Sequence, residues 1–504
     1  MKVLTRSSKV TGNNLIIPLI GGIVVAQCGT AILHQSYLWA GLITVGMAIA
    51  VLSLAAKRFK DYWLMIFALV LPLDIKKMLI ESSYVRELAQ VYGIPIGELP
   101  GPVVYLSDLA FAVLMAAWLF DITFKKEKVF FPKSNWYALA FLGWAGLSLI
   151  NAKVFSYAFF DLLRTLKFYL LYLYIANNVR SMPTLKTLVR YFLVGVVIQG
   201  SICLYQYISQ DIGYIFGDIF GKQDLYSQES IDKFREFFTI TPDTELKRAS
   251  GTVGPINAQA QYFEFLLPVS FLLCLASAKF WRNMLSRLAL VLGLAGLTVT
   301  FSRGGLIGIA AGIAVVFVLA KRLQIISKEK YLTILIPVLF IGIMLTPTVY
   351  SFFMARHQAT LARFHLYKVG LDMVRAHPFL GVGLNNHVVM EPYYDPQTYI
   401  FPTPTHNHYL FIASEVGIPG LVFFLAFFSS AFLMALKAAR SKVIYQAVVA
   451  LGIVGAFVAI GTHNLVDHLS YHTNLTLLWL FAGLAAALSN LKSNENDCKE
   501  ELVV

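Results

Sequence analysis

Thr405-His406-Asn407-His408-Tyr409-Leu410-Phe411-Ile412-Ala413-Ser414-Glu415-Val416-Gly417-Ile418-Pro419-Gly420 joins two kinds of sequence. Its first half is polar, with two imidazoles and a carboxamide. Its second half runs through Gly417, Pro419 and Gly420 into an apolar run from Leu421 to Leu436. Polar groups placed where a membrane helix begins are costly unless they act or are well paired. The apolar run decides the fold class, because runs of its kind, about 20 residues long, recur from one end of the chain to the other. They are continuous rather than alternating, which favours helices over an outer-membrane barrel.

Composition agrees. The chain of 504 residues is 58% hydrophobic and only 14% charged, and its mean hydropathy is +0.67. A soluble domain carries about 25% charged residues, so this is an integral membrane protein, and no stretch is polar enough to form a soluble domain. The net charge of +13 does not point to nucleic acid. The bases gather in short loops between apolar runs, as topology signals do, and some are placed to meet anionic lipid or a diphosphate. Of four cysteines, Cys28, Cys203 and Cys274 lie in apolar runs and Cys498 in the tail, with no metal or disulfide spacing. Lys2, Arg6 and Lys9 precede an apolar run too long for a signal peptide, which reads as an uncleaved first helix.

The runs predict helices near 15–33, 37–56, 62–75, 103–124, 136–152, 158–177, 190–208, 257–278, 285–301, 304–320, 332–353, 419–438, 444–462 and 473–490, about 12–14 spans in all. The run at 62–75 is short, either tilted or re-entrant, and Gly93 to Gly101 reads as a surface loop. The expected order is an N-terminal bundle over 1–208, an outside loop over 209–256, helices over 257–353, a large outside loop over 354–416, C-terminal helices over 417–490 and a tail over 491–504. With the N-terminus inside, nearly every basic short loop falls on the cytoplasmic side.

Four features then share the outer face. Arg303, in Thr300-Phe301-Ser302-Arg303-Gly304-Gly305, is either a snorkelling anchor or a diphosphate ligand whose flanking glycines let another group approach. Arg363 opens an amphipathic segment that ends at His377-Pro378, before Gly381-Val382-Gly383; it reads as a plain surface charge, with Arg356 a nearby competitor. His406, with Asn407 and His408, offers a base near neutral pH, or a cap for the helix that follows. The two imidazoles point to different faces of a helix, which argues against a shared metal. His463, Asn464, Asp467, His468 and His472 lie between the last two helices, and the i, i+4 pair His463 and Asp467 reads as polar packing, or as a contact for a metal or a substrate. Arg164 and Lys167, in the outer half of their helix, and the loop Arg248 to Asn257 are of second rank.

These residues together resemble a family. Arg248-Ala249-Ser250-Gly251 with Asn257, then Ser302-Arg303-Gly304-Gly305, then Arg363 ahead of His377-Pro378-Phe379-Leu380-Gly381-Val382-Gly383, then His406-Asn407, nine residues and Gly417-Ile418-Pro419-Gly420 are similar to the O-antigen ligase and polymerase superfamily of bacterial inner-membrane glycosyltransferases. The resemblance implies an all-α polytopic membrane protein with a membrane-embedded, GT-C-like glycosyltransferase fold and a large periplasmic loop. It implies an undecaprenyl-diphosphate-linked glycan as donor, a glycan or a lipid A core as acceptor, chemistry at the periplasmic face, and neither metal nor cofactor. Carried over by position, Arg303 and Arg363 hold the diphosphate and His406 activates the acceptor hydroxyl. Arg248, Asn257, Arg164, Lys167, Asn407 and His463 are the expected substrate contacts. Ligases often show Arg, three residues, then Leu; here Phe364-His365-Leu366-Tyr367 follows Arg363, which leaves ligase and polymerase both open. A glycan transporter, the reading from another class, would place charges through the middle of many helices rather than on one face.

Overall fold

The structure, a computed structural model, describes residues 53, 56, 58–78, 102–209, 248–276, 283–336, 357–395 and 404–491. The expected helix at 15–33, nearly all of that at 37–56, most of that at 332–353, the loop from Gly93 to Gly101, most of 209–256, the tail from 492, Cys28 and Cys498 lie outside the described residues. The chain divides into two compact units, Met1–Ile66 and Phe67–Val504.

The described helices are α1 (Phe59–Val70), α2 (Leu106–Phe124), α3 (Asn135–Ser148), α4 (Phe155–Asn178), α5 (Met182–Ser209), α6 (Ile256–Ala276), α7 (Met284–Val299), α8 (Arg303–Arg322), α9 (His357–Ala376), α10 (His387–Tyr394), α11 (His408–Ala438), α12 (Ile444–His463) and α13 (His472–Asn490). Seven of them, α2, α5, α6, α8, α11, α12 and α13, are long and apolar enough to cross a membrane. This is a helical polytopic membrane protein. α1, with 12 residues, reaches only about 18 Å at 1.5 Å per residue, short of a hydrocarbon core of about 30 Å. The all-helical expectation holds, with one short strand pair beside the helices. Lys76–Met78 (β1) pairs antiparallel with Val103–Tyr105 (β2), Lys76 opposite Tyr105. The β-branched pair Val103-Val104 suits a short strand leading into α2.

α6, α12 and α13 form the buried centre of the bundle. α12 packs most extensively on α8 and α6, and α13 on α4 and α11. The α8–α12 contact is backbone to backbone. Gly308 and Gly312 lie four residues apart on one face, and a Cβ would come within 2.6 Å of Ala459 O and 2.5 Å of Gly455 O respectively. Small residues at this spacing let membrane helices approach closely.

α11 is the element that places the site. It begins at His408, eleven residues before the expected 419, and breaks at Gly417, where φ is 75° and ψ is 174°. The break has a local cause. Pro419 has no N–H, so Glu415 O loses its helical partner. Ile418 N–H turns instead to Pro378 O at 2.8 Å, which frees Ser414 O. The Pro378–Gly383 turn fills both vacancies: Val382 N–H donates to Ser414 O at 2.8 Å and Gly383 N–H to Glu415 O at 3.0 Å. Trp144 Nε1 of α3 donates to both Phe379 O and Val416 O at 3.0 Å. A Cβ at Gly417 would stand 2.0 Å from Phe379 O. The turn between α9 and α10 is thereby locked into the kink.

Candidate active site

His406 stands immediately outside α11. Asn407 is the N-cap, with φ −153°, and its side-chain oxygen accepts the Leu410 N–H at 3.0 Å; such a cap satisfies a donor that the first helical turn leaves open. The expectation that His406 and His408 share a helix is therefore corrected: the cap ends the helix between them. Asn407 Nδ2 donates to Leu465 O at 3.1 Å, so both ends of this carboxamide serve the fold.

The two histidines dock on the turn between α12 and α13 in different ways. His408 is buried; its N–H lies 2.9 Å from both Asn464 O and Asp467 O, and its Nδ1 accepts the Leu469 N–H at 3.2 Å. His406 Nδ1 lies 3.0 Å from Asp467 Oδ1. The carboxylate can only accept, so Nδ1 carries the hydrogen and Nε2 keeps its lone pair. The His406 side chain is 22% exposed and that of Asp467 2%. A substrate can thus reach the imidazole, while the carboxylate behind it stays covered. The Tyr367 hydroxyl, on α9, donates to His406 O at 2.8 Å and fixes the backbone from the other side.

Asp467 is the hub. Its Oδ1 also accepts the His468 N–H at 2.8 Å, and its Oδ2 faces His463 Nε2 at 3.6 Å, an ion-pair distance rather than a hydrogen bond. Burial pushes the Asp467 carboxyl up, but the His406 and His463 contacts and the charges beside it outweigh that and hold it well below the usual carboxylate range. Burial pushes the His468 imidazole down to about 4; Asp467 opposes this, while the charges of His406, His463 and Arg363 add to it. The field of Arg363, one turn before Tyr367 on α9, therefore reaches the cluster. His463 lies behind, 1% exposed, with Nδ1 2.9 Å from Glu264 Oε2 of α6. Covered in this way, His463 faces two carboxylates rather than an incoming substrate.

Arg303 is the first residue of α8. Ser302 caps the helix, accepting the Gly305 N–H at 3.3 Å, and the Asn257 Oδ1 accepts the Ser302 hydroxyl at 3.1 Å. Asn257 thus supports the start of α8. A Cβ at Gly304 would stand 2.6 Å from His463 Nε2, so only glycine lets this helix end meet the cluster. Arg248 Nε donates to Thr300 O at 2.9 Å. The loop after it is stitched to α5: Gln206 Oε1 accepts the Gly251 N–H at 2.8 Å, and Gln199 Oε1 the Thr252 N–H at 3.1 Å.

Arg164 and Lys167 belong to a separate group. Arg164 pairs with Asp161, and Lys167 Nζ lies 2.8 Å from Asp108 Oδ1. His472 joins them, 3.7 Å from Asp108 and stacked on the Tyr105 ring with centroids 3.6 Å apart. Each of these two cations already has a carboxylate.

His406, Asp467 and His468 bring one potential metal-ligand atom each within 4.8 Å of one another; His408 is not in this set. Within this set Asp467 Oδ1 accepts the His406 Nδ1–H and the His468 backbone N–H, while the His468 imidazole meets the Ser470 hydroxyl through Nδ1. The sequence reading passed over two residues. Asp467 was set beside His463 but not joined to His406, because 61 residues separate them. Glu264 was missed, although a carboxylate inside an apolar run is itself a signal.

The family model described as O-antigen ligase matches residues 288–425. This part of the chain is similar to an O-antigen ligase domain. It holds Arg303, Arg363, His406 and the kink of α11. The match supports a ligase-like glycan-transfer role, while Glu264, His463 and Asp467 lie outside the matched residues. No curated protein matches the chain.

Proposed function

We propose that the protein is a lipid-diphosphate-dependent glycosyltransferase that moves an undecaprenyl-diphosphate-linked glycan onto a sugar hydroxyl, at the periplasmic face of the bacterial inner membrane. The observation that carries the reading is the His406–Asp467 pair: a partly open imidazole with its Nδ1 hydrogen on a covered carboxylate and, among the described residues, no hydrogen bond at its Nε2. A sugar hydroxyl is a poor nucleophile, and an oriented imidazole takes its proton as attack begins. In the step, the acceptor oxygen forms a bond to the anomeric carbon, the bond from that carbon to the phosphate oxygen breaks, and the hydroxyl proton passes to His406 Nε2. The leaving group carries the electron pair away as lipid diphosphate, and His406 later returns its proton to that diphosphate or to water. Attack opposite the leaving group inverts the anomeric centre.

Arg303 fits the role of meeting the leaving group. A cation on the first residue of a helix stands at the positive end of the helix dipole. An anion at that end is favoured both by the dipole and by the guanidinium. Arg363, whose field reaches the cluster from α9, would add a second cation as charge grows on the diphosphate. The periplasmic placement is supported by the bases at the far ends of the helices: Lys321 and Lys437 lie in the last turns of theirs, and Lys125, Lys126, Arg180, Arg440 and Lys442 follow the ends of theirs, as cytoplasmic bases do.

The test uses purified protein in nanodiscs with undecaprenyl-diphosphate-linked glycan, with and without a lipid A core, and a gel readout. One shift onto the core means a ligase; a ladder without core means a polymerase. His406→Ala and Arg303→Ala are expected to abolish transfer while the protein still inserts, and a chelator to leave transfer unchanged. Wild-type transfer by either variant overturns the assignment. No product from folded protein with several glycans favours the transporter.

A further inference from the structure

Behind the His406–Asp467 pair the structure holds charge where a membrane helix has little reason to. Glu264 lies inside α6 with a side-chain exposure of 0%, and His463, at the end of α12, with 1%. Their contact is close, His463 Nδ1 to Glu264 Oε2 at 2.9 Å. The other side of the same imidazole faces Asp467 Oδ2 at 3.6 Å. Three elements shape the pocket around the pair. α8 gives way on one side, where Gly308 leaves the room that Glu264 Oε1 occupies: a Cβ there would stand 2.1 Å from it. Gly304 does the same for the imidazole. The line Glu264, His463, Asp467, His406 thus runs from the covered centre of α6 to the partly open imidazole of His406.

Stability does not account for it. Replacing a buried ion pair with apolar side chains is commonly neutral or stabilising, and the α8–α12 seam already packs through glycine. The distinctive property of the pair is where it ends. Asp467 has two oxygens, and His406 needs one of them in a fixed direction. His463, held from behind by Glu264, stands at Oδ2 and leaves Oδ1 turned toward His406 and the His468 N–H.

We propose that Glu264 and His463 are positioning residues for the transfer reaction: Glu264 anchors His463, and His463 sets the orientation of the Asp467 carboxylate that holds His406. This rests on the function proposed for His406. Both side chains are covered, so their effect is expected on turnover and not on donor binding.

The test is a double-mutant cycle in nanodiscs with radiolabelled donor, because coupled residues fail to add and independent ones do not. Glu264→Gln keeps the shape and an acceptor for His463 but removes the charge. In the wild-type background it is expected to lower kcat by about tenfold, within the span of coupled neighbours, with KM for the donor unchanged. In an Asp467→Asn background it is expected to cost less than about twofold further, since the link it supports is already gone. Equal losses in both backgrounds, an unchanged kcat, or a loss confined to KM each overturn the proposal. A general packing role would give the equal losses. If Glu264→Gln yields no monodisperse protein, His463→Gln goes through the same cycle with the same expectations. His406→Ala is run alongside. Full transfer by that variant rejects the assignment of His406 itself, whereas a dead His406→Ala with an additive cycle rejects only the role of Glu264 and His463.

Discussion

His406 and His408 are the same residue two positions apart, and only their surroundings separate them. His408 is closed in and spends its Nδ1 on a backbone N–H; His406 is partly open and spends its Nδ1 on a carboxylate. A sequence read along the chain sees the pair but not the partners, which arrive from 61 residues downstream. Asp467 is where the difference is made. Asp467→Asn keeps the size of the side chain but can present N–H instead of oxygen to His406, so the imidazole loses its orientation and the cation formed in the reaction loses its counter-charge. The expected result is a fall in kcat on the order of 10²–10⁴, the span usual for a general base, with donor binding retained in a lipid-binding assay. A variant within a factor of about three of wild type would mean that His406 is not held in this way. Arg303 was legible for a different reason: Ser302, Arg303, Gly304 and Gly305 are neighbours in the chain. The cap, the charge and the close approach therefore all show in one short stretch.

The same contrast holds between whole elements. Apolar run length located α5 to α8 and α11 to α13, because burial in lipid demands it. The amphipathic pattern after Arg363 located α9. The kink of α11 was half legible. Gly417 and Pro419 announced a break, but the sequence read it as the start of a helix rather than an interruption of one. What carries the helix backwards to His408 is the Pro378–Gly383 turn, which supplies partners for the freed carbonyls from another part of the chain. Gly417→Ala is accordingly expected to cost at least about 1–3 kcal/mol for the backbone conformation alone, with the clash against Phe379 O added. Thermal unfolding in detergent would register this, and an unchanged midpoint would mean that the turn is not locked. α10 carries a pH response. His387 is buried, its Nδ1 2.7 Å from the Ser414 hydroxyl, and burial pushes its imidazole from 6.5 down to about 3, with His468 adding. The unfolded chain therefore binds the extra proton first. Stability is full above about 6.5, declines as pH falls below that, and the whole penalty is present near 3. Unfolding midpoints between pH 7.5 and 5 are expected to fall, and His387→Gln to flatten the slope. A slope unchanged in that variant would place the response elsewhere.

Among the described helices, one end of the bundle carries the histidine–carboxylate contacts, and the opposite ends carry the bases of the short loops, some of them paired, as Lys125 is with Asp121 and Arg180 with Glu127. That division was readable from the sequence because each sign is local to its loop. Which of the polar residues meet was not readable, since it depends on how α6, α8 and α12 close on one another. The seam of α8 and α12 brings Gly304 to His463, and α6 brings Glu264 to the same imidazole. That last pairing also bears on how the chain is made. Glu264 and His463 are 199 residues apart. At about 5–20 residues per second of synthesis, α6 emerges about 10–40 s before its partner exists. A carboxyl in a membrane helix without a partner is poorly held by lipid. α6 is therefore expected to linger beside the insertion machinery, or to be sheltered by helices already made, until α12 arrives. A nascent chain stopped before Ile444 should leave α6 open to extraction and degradation. The completed bundle is then the first state in which every helix is at home in the bilayer.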